Sequence, residues 1–392
     1  MTKPSALNQR PEFENYFDTH PEPRLDFAHV QRALKGGYDR PFLLIDPEII
    51  CDKYRRFVAA MPKVRTHYAV KANPDPRVVQ ILAAEGAGFE IASPAELDIL
   101  ISQGVDPSEV HYSNPVRARQ HIAYAASRGV VWFAFDSVEE LRKVHSVAPH
   151  AKLYLRIDTP NIGSDWPLSG KFGSKLREVD GIIDVAVELG ADLCGVTFHV
   201  GSQCRNAENW RVAIDSAKRI FGDMRAKGLV PTLLNIGGGF PVRLAKPIPS
   251  VEVIGEVVNE AIADLDDAIS VMAEPGRYLV SDSAYFVCRV IGATRRGEER
   301  WLYLDTGMFG GLLESTQGLQ YQIETDRSGQ LVPWHVAGPT CDSVDVLLKD
   351  EMLPEDLQDD DFIYFPNAGA YTTAYASNFN GFPLPDVRFT QS

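Results

Sequence analysis

The stretch Thr66-His-Tyr-Ala-Val-Lys-Ala-Asn-Pro74 sets Lys71 directly behind a short apolar run, which Asn73-Pro74 then stops. An ammonium at a strand end is poorly solvated, and lost solvation lowers a lysine's pKa toward the free amine. A free amine can form an imine with a carbonyl group, either a substrate's or that of pyridoxal phosphate. The same nonamer would also suit a lysine whose stem packs while its head reaches water. Taken alone, it leaves both readings open.

Other segments carry chemistry of their own. Gly237-Gly-Gly239 follows an apolar run and can let backbone N–H groups approach an anion, although triple glycine also makes plain tight turns. Glu274-Pro-Gly-Arg277 offers a carboxylate with a guanidinium three residues on, either an ion pair or a grip on a pyridine nitrogen and a phosphate. His199-Val-Gly-Ser202 supplies an imidazole and a hydroxyl, and Gly338-Pro-Thr-Cys-Asp342 a thiol beside a carboxylate. No HExxH, HxxE or CxxC spacing supports a metal site, and no GxSxG elbow supports acyl hydrolysis.

These residues need elements to position them, and the hydrophobic rhythm supplies eight. Strands are predicted at Thr66–Val70, Gly88–Ala92, Val110–Ser113, Val131–Phe135, Lys152–Ile157, Leu193–Val200, Leu233–Ile236 and Ser270–Ala273. Helical patterns such as Pro76–Glu85, Ala95–Gln103, Ala118–Ser127, Val138–Val147 and Trp210–Ala226 lie between them. Apolar strands alternating with helices imply a parallel sheet covered on both faces, and eight units imply a (β/α)8 TIM-like barrel. A doubly wound sheet would be expected to carry GxGxxG after its first strand, which is absent. In a barrel the strand C-termini converge on one face, and chemically distinctive residues stand at seven of the eight. Lys71, Glu90, Asn114, Arg156, His199, Gly237 and Glu274 would then be neighbours.

After Arg277 the pattern changes to strands without long helices between them: Tyr285–Ala293, Trp301–Asp305, Trp334–Val336 and Asp361–Pro366. This predicts a C-terminal antiparallel β domain over residues 278–392, with a barrel over 47–277. The N-terminal segment 1–46 contributes Pro41–Asp46 to the β domain.

Composition narrows the class. The chain has 392 residues, 45% hydrophobic and 23% charged, as expected of a globular protein of about two domains. Acidic residues outnumber basic ones, 53 to 39, and no block of Lys and Arg suggests a nucleic-acid partner. No apolar run reaches membrane-spanning length, and the first residues have no secretory core. Five cysteines without paired spacing suggest free thiols and a cytoplasmic setting.

In combination the motifs resemble the fold-type III pyridoxal-phosphate decarboxylases that act on ornithine, lysine, arginine and diaminopimelate. His67-Tyr-Ala-Val-Lys-Ala-Asn73, Phe89-Glu-Ile-Ala-Ser93, His199-Val-Gly-Ser-Gln203, Gly237-Gly-Gly-Phe-Pro241, Glu274-Pro-Gly-Arg-Tyr278, Gly338-Pro-Thr-Cys-Asp342, Gly369-Ala-Tyr371 and Phe379-Asn-Gly-Phe382 run in that family's order. The Cys-Asp pair and the Phe-Asn-Gly-Phe ending are similar to its ornithine branch, in bacterial form. The resemblance implies pyridoxal 5'-phosphate as cofactor, linked to Lys71. Glu274 would face the pyridine nitrogen, His199 stack on the ring, and Arg156 lie near its phenolic oxygen. Ser202, Gly238, Gly239, Arg277 and Tyr371 would bind the phosphate, and Glu90 would position Lys71 or His199. Cys341 would return a proton after CO2 leaves. Cys341, Asp342 and Phe379 would reach into a partner subunit's barrel, making the active unit a head-to-tail homodimer.

One position departs from the pattern. Ornithine-acting relatives hold the distal ammonium with the Asp of the Cys-Asp pair and a second acid about twelve residues past the Asp that opens the glycine-rich loop. Here the count from Asp305 lands on Gln317. A buried ammonium with one partner is costly. Either Glu314 substitutes, or water serves, or the substrate's distal nitrogen is uncharged, as in an N-acylated ornithine such as the citrylated siderophore precursor. The expected reaction is decarboxylation of ornithine or a close analogue in polyamine or siderophore synthesis, with lysine and arginine as alternatives. A racemase would need a tyrosine base where the Cys-Asp pair stands. A non-catalytic decarboxylase-like regulator would be expected to lack cofactor residues that are present here.

Overall fold

The computed structural model describes residues 24–390, apart from residue 169; the start of the predicted N-terminal segment and the last two residues lie outside the described residues. Eight short strands close a parallel barrel: β2 (Val64–Ala69), β3 (Gly88–Ile91), β4 (Val110–Tyr112), β5 (Trp132–Phe135), β6 (Lys152–Arg156), β8 (Asp192–Thr197), β10 (Leu233–Asn235) and β11 (Ser270–Ala273). Strand β11 pairs in parallel with β2 and completes the ring. Each strand is the predicted one within a few residues. The largest difference is at β8, which stops at Thr197 and leaves His199 just beyond its end.

The helices begin where the sequence provides caps. Asp75-Pro76, Ser93-Pro94 and Ser137 each place a side-chain acceptor on a first-turn N–H, with proline pre-set for the first turn in the first two. Helices Pro47–Ala60, Val179–Leu189 and Val251–Ala261 help complete the outer layer. Below the barrel mouth the interior is packed rather than open. His111 stacks on Trp132, with His67 and Tyr154 edge-on to it. Burial holds the His67 imidazole down to about 4, so this layer is neutral.

The second sheet is built on β12 (Ala284–Arg296). Its first half pairs with β1 (Phe42–Ile45) on one side and β17 (Phe362–Pro366) on the other, and its second half with β13 (Glu299–Leu304). Strands β14 (Glu324–Thr325), β15 (Leu331–Ala337), β16 (Val346–Pro354) and β18 (Asp386–Phe389) extend it. The expected wholly antiparallel domain is corrected here: β13 pairs with β15, and β1 with β18, in parallel. The chain between β13 and β15 makes a long excursion over residues 305–330 before returning. Only such a crossover lets these two neighbouring strands of the sheet run the same way. That excursion carries two helical turns, Met308–Leu312 and Leu313–Gln317, to the barrel mouth.

Candidate active site

Lys71 sits in a single turn, Val70–Ala72, just past β2. The C-terminal domain docks on that turn: the Tyr371 N–H donates to the Ala72 carbonyl (2.8 Å), and the Asn73 amide to the Gly369 carbonyl (3.0 Å). Tyr371 is held at φ 55°, a strained backbone for a residue with a side chain. In register with Ala69 on the next strand stands Glu90, 1% exposed, and its Oε2 accepts from Lys71 Nζ at 2.8 Å.

This contact reverses one expectation. Burial alone pulls the Lys71 ammonium down, but Glu90, Tyr371 and Glu274 outweigh it and raise its pKa. The 42% of the Lys71 side chain that is exposed faces the cavity at the barrel mouth. Beside the Glu90 carboxylate the lysine is held as an ammonium rather than a free amine.

The cavity has a volume of about 290 Å³ and is lined by Lys71, Glu90, Arg156, His199, Ser202 and Glu274, among others. Its outer wall is apolar and aromatic, with Trp166, Leu168, Phe172 and Tyr375. His199 Nδ1 accepts from the Gly201 N–H (3.0 Å), and burial and then Arg156 hold the imidazole well below its usual value. It is neutral, with its proton on Nε2. Arg156 packs over the Phe172 ring at 5.4 Å. Burial lowers its pKa from the ordinary arginine value. Glu274 takes two donors on one oxygen: the Ser113 hydroxyl, and the Asn235 amide at 2.6 Å. Burial, then Glu90, push its carboxyl up to about 7.

A smaller chamber of about 30 Å³ lies beside Gly238, Gly239, Ser202, Arg277 and Tyr371. Gly239 has φ +101°, and a Cβ there would run into the Gly201 carbonyl oxygen. On Gly238 a Cβ would come within 2.7 Å of the Glu274 carbonyl oxygen. Arg277 Nε is buried without a partner among the described residues. A glycine cradle, an orphaned cationic donor and a raised carboxylate together suit a phosphorylated pyridine in polarity. The residues present fit pyridoxal phosphate.

The terminal nitrogens of Arg277, by contrast, are not free. Both face Glu314, at 2.9 and 2.5 Å, while the guanidinium lies 4.8 Å from the Tyr371 ring centroid. The expectation that Glu314 is available for a distal ammonium is corrected accordingly: its charge is already matched by a buried arginine. Gln317 ends the same helical turn, and its side chain lies outside the described residues.

Cys341, Asp342 and Phe379 are not brought to Lys71 within this chain. All three are exposed. Asn380 Oδ1 accepts from the Cys341 N–H (3.2 Å) and its thiol (3.4 Å), and Phe379 packs on Phe309 at 4.4 Å. The Cys-Asp and Phe-Asn-Gly-Phe motifs thus form one surface cluster. Sequence reasoning missed Ser113 and Asn235. Their signal was a lone polar residue at the end of each of two apolar strands. Among the described residues no His, Cys, Asp and Glu group could hold a metal ion. None of their helices is long and apolar enough to cross a membrane.

Comparison with known proteins agrees with this geometry. Residues 48–281 match the family described as pyridoxal-dependent decarboxylase, pyridoxal binding domain. The chain is 35% identical over 356 residues to the ornithine decarboxylase of Schizosaccharomyces pombe, covering 87% of this chain and 81% of the relative. It is 34% identical over 363 residues to the lysine/ornithine decarboxylase of Selenomonas ruminantium, covering 91% and 92%. Among solved structures, the Paramecium bursaria Chlorella virus arginine decarboxylase superposes with a TM-score of 0.88 at 30% identity, covering 93% of this chain and all of that one.

Proposed function

The chain belongs to the pyridoxal-dependent decarboxylases that act on basic amino acids, and we propose that it decarboxylates L-ornithine or a close analogue to the corresponding amine. It is an amino-acid decarboxylase, and its cofactor is pyridoxal 5'-phosphate. The observation that carries the reading is the convergence of Lys71, Glu90, His199 and Glu274 on one cavity with a glycine cradle at its end.

When bound, the cofactor supplies a ring that accepts the electron pair left as CO2 departs. The protein's own groups make that possible. Lys71 provides the amine that holds the cofactor, and Glu90 receives its charge until then. Glu274, raised to about 7, stands where it can share a proton with the ring nitrogen. His199 is kept neutral and offers an uncharged surface to the ring. Gly238, Gly239, Ser202, Tyr371 and the Nε of Arg277 would hold the phosphate. Arg156 would stand toward the phenolic oxygen. The apolar and aromatic part of the lining lowers the local polarity, which strengthens each of these contacts.

Cys341 is the proton donor to the α-carbon after CO2 leaves, serving the partner's cavity in a head-to-tail homodimer. Its exposure, with that of Asp342 and Phe379, supports this arrangement. The partner's Asp342 would meet the substrate's distal group. The yeast and bacterial relatives match almost equally, so placement in the ornithine branch rests on the Cys-Asp and Phe-Asn-Gly-Phe motifs.

A second reading keeps the reaction and changes the distal group. With Glu314 committed to Arg277, one acid remains for a distal ammonium, which favours a side-chain N-acylated ornithine. A decarboxylation screen over ornithine, lysine, arginine, diaminopimelate and N-acylated ornithines tests both. A wide preference for free ornithine removes the second reading; a preference for an acylated substrate removes the first. Absence of CO2 release from every substrate, with racemisation instead, would overturn the decarboxylase assignment.

A further inference from the structure

Two buried polar groups from opposite sides of the barrel reach one oxygen of Glu274, and a third backs one of them. Ser113 follows β4, Tyr154 lies in β6, and Asn235 ends β10; Ser113 is 8% exposed and the other two fully buried. The Tyr154 hydroxyl is 2.7 Å from Ser113 Oγ, and the Ser113 hydroxyl donates to Glu274 Oε1. Ser113 has one proton and spends it on the carboxylate, so Tyr154 is the donor to Ser113. Burial raises the Tyr154 pKa well above its usual value, which keeps that proton in place. From the other side of the barrel, Asn235 Nδ2 donates to the same Oε1 at 2.6 Å. Its Oδ1 accepts the Gly237 N–H at 2.9 Å, at the start of the glycine turn. The Glu274 N–H in turn donates to the Gly237 carbonyl at 2.8 Å.

The arrangement is asymmetric. Both donors take Oε1, no donor among the described residues reaches Oε2, and Glu274 lines the cavity. A carboxylate gripped by one oxygen cannot rotate freely, so the other oxygen has a fixed aim. Donors to the charged form also hold its pKa down against the burial that raises it. One amide, Asn235, touches both ends of the site, since its donor serves the carboxylate and its acceptor the phosphate turn.

We propose that Ser113 and Asn235 are positioning residues that clamp Oε1 of Glu274 and so aim Oε2 at the cofactor's ring nitrogen, Asn235 tying this clamp to the glycine turn at the phosphate end. The inference rests on Glu274 serving the ring nitrogen.

The test titrates apoenzyme with cofactor across pH and reads the acid-side midpoint of binding, which reports protonation of Glu274. Loss of one donor in S113A moves that midpoint up by about one pH unit, a tenfold effect at fixed pH. S113T keeps the hydroxyl and stays at the wild-type midpoint. N235D preserves shape and the acceptor for Gly237 but sets a second carboxylate against Oε1. It shifts the midpoint further upward while keeping the preference for pyridoxal phosphate over unphosphorylated pyridoxal. N235A shifts the midpoint and loses part of that preference. Wild-type midpoints in S113A and N235D, beside an E274A that binds cofactor poorly, overturn the clamp. So does an S113T shift as large as that of S113A, which would assign the effect to packing. If E274A itself binds cofactor with the wild-type pH profile, the assignment of Glu274 fails and the clamp falls with it.

Discussion

Glu314→Gln in the cofactor-free protein is the substitution whose size follows most directly from the geometry. Arg277 and Glu314 meet through two contacts of 2.9 and 2.5 Å, with side chains only 5% and 2% exposed. Removing one charge of a buried pair strands the other and costs about 3–5 kcal/mol. The glutamine amide keeps one oxygen for the guanidinium and for the Tyr321 hydroxyl, 3.4 Å from Glu314 now. The loss should therefore fall near ~3 kcal/mol, about two decades in the folding equilibrium. Urea unfolding of the apoenzyme, followed by circular dichroism, should show a lower midpoint at unchanged slope. Inorganic phosphate or pyridoxal phosphate should recover more stability in the variant than in wild type. An anion then meets Arg277 without a neighbouring carboxylate that offsets its charge, and binding to the folded form adds stability by mass action. An apoenzyme midpoint equal to wild type would refute the claim that Glu314 neutralises Arg277. A larger phosphate effect in wild type than in E314Q would refute competition between Glu314 and the anion.

Gly239→Ala should weaken cofactor binding by one to two decades, because its φ of +101° and its contact with the Gly201 carbonyl leave no room for a Cβ, strain worth about 1–3 kcal/mol; an unchanged titration of apoenzyme would count against the phosphate cradle. Glu274 should make apoenzyme stability depend on pH. Its folded value of about 7 lies above the ordinary 4.5, so its contribution is present below pH 4.5 and lost as pH rises through 7. The shift corresponds to something on the order of 3 kcal/mol, so the wild-type advantage over E274Q should shrink across that window. Parallel stability curves would show that Glu274 is not buried as described. Finally, K71A and C341A should each be nearly inactive, yet mixing them should restore on the order of a quarter of wild-type activity if each site draws on two subunits of a symmetric dimer. No recovery on mixing would place Cys341 outside the partner's site.

Much of this molecule was legible in its sequence. Lys71, His199 and Glu274 could be read because each follows a run apolar enough to be a buried strand, and parallel strands in a barrel point the same way. Their convergence then follows from closure alone. The caps at Asp75, Ser93 and Ser137 made the helix starts readable for an equally local reason. What could not be read is whatever depends on which strand lies beside which, and at what register. The Lys71 amine was expected to be free, but Glu90, in register with Ala69 across β2 and β3, holds it charged. Arg277 and Glu314, separated by a domain boundary and a helical turn, find each other only after the excursion from β13 folds over the barrel mouth. The grip on Glu274 comes from opposite sides of the ring, through Ser113 and Asn235, which no spacing along the chain relates. Side-chain identity and apolar period act over a few residues and determine the barrel, the place of Lys71 and the order of the site. Charge states and hydrogen-bond partners are set by distances of a few ångströms between remote segments, and only the packed tertiary structure decides those.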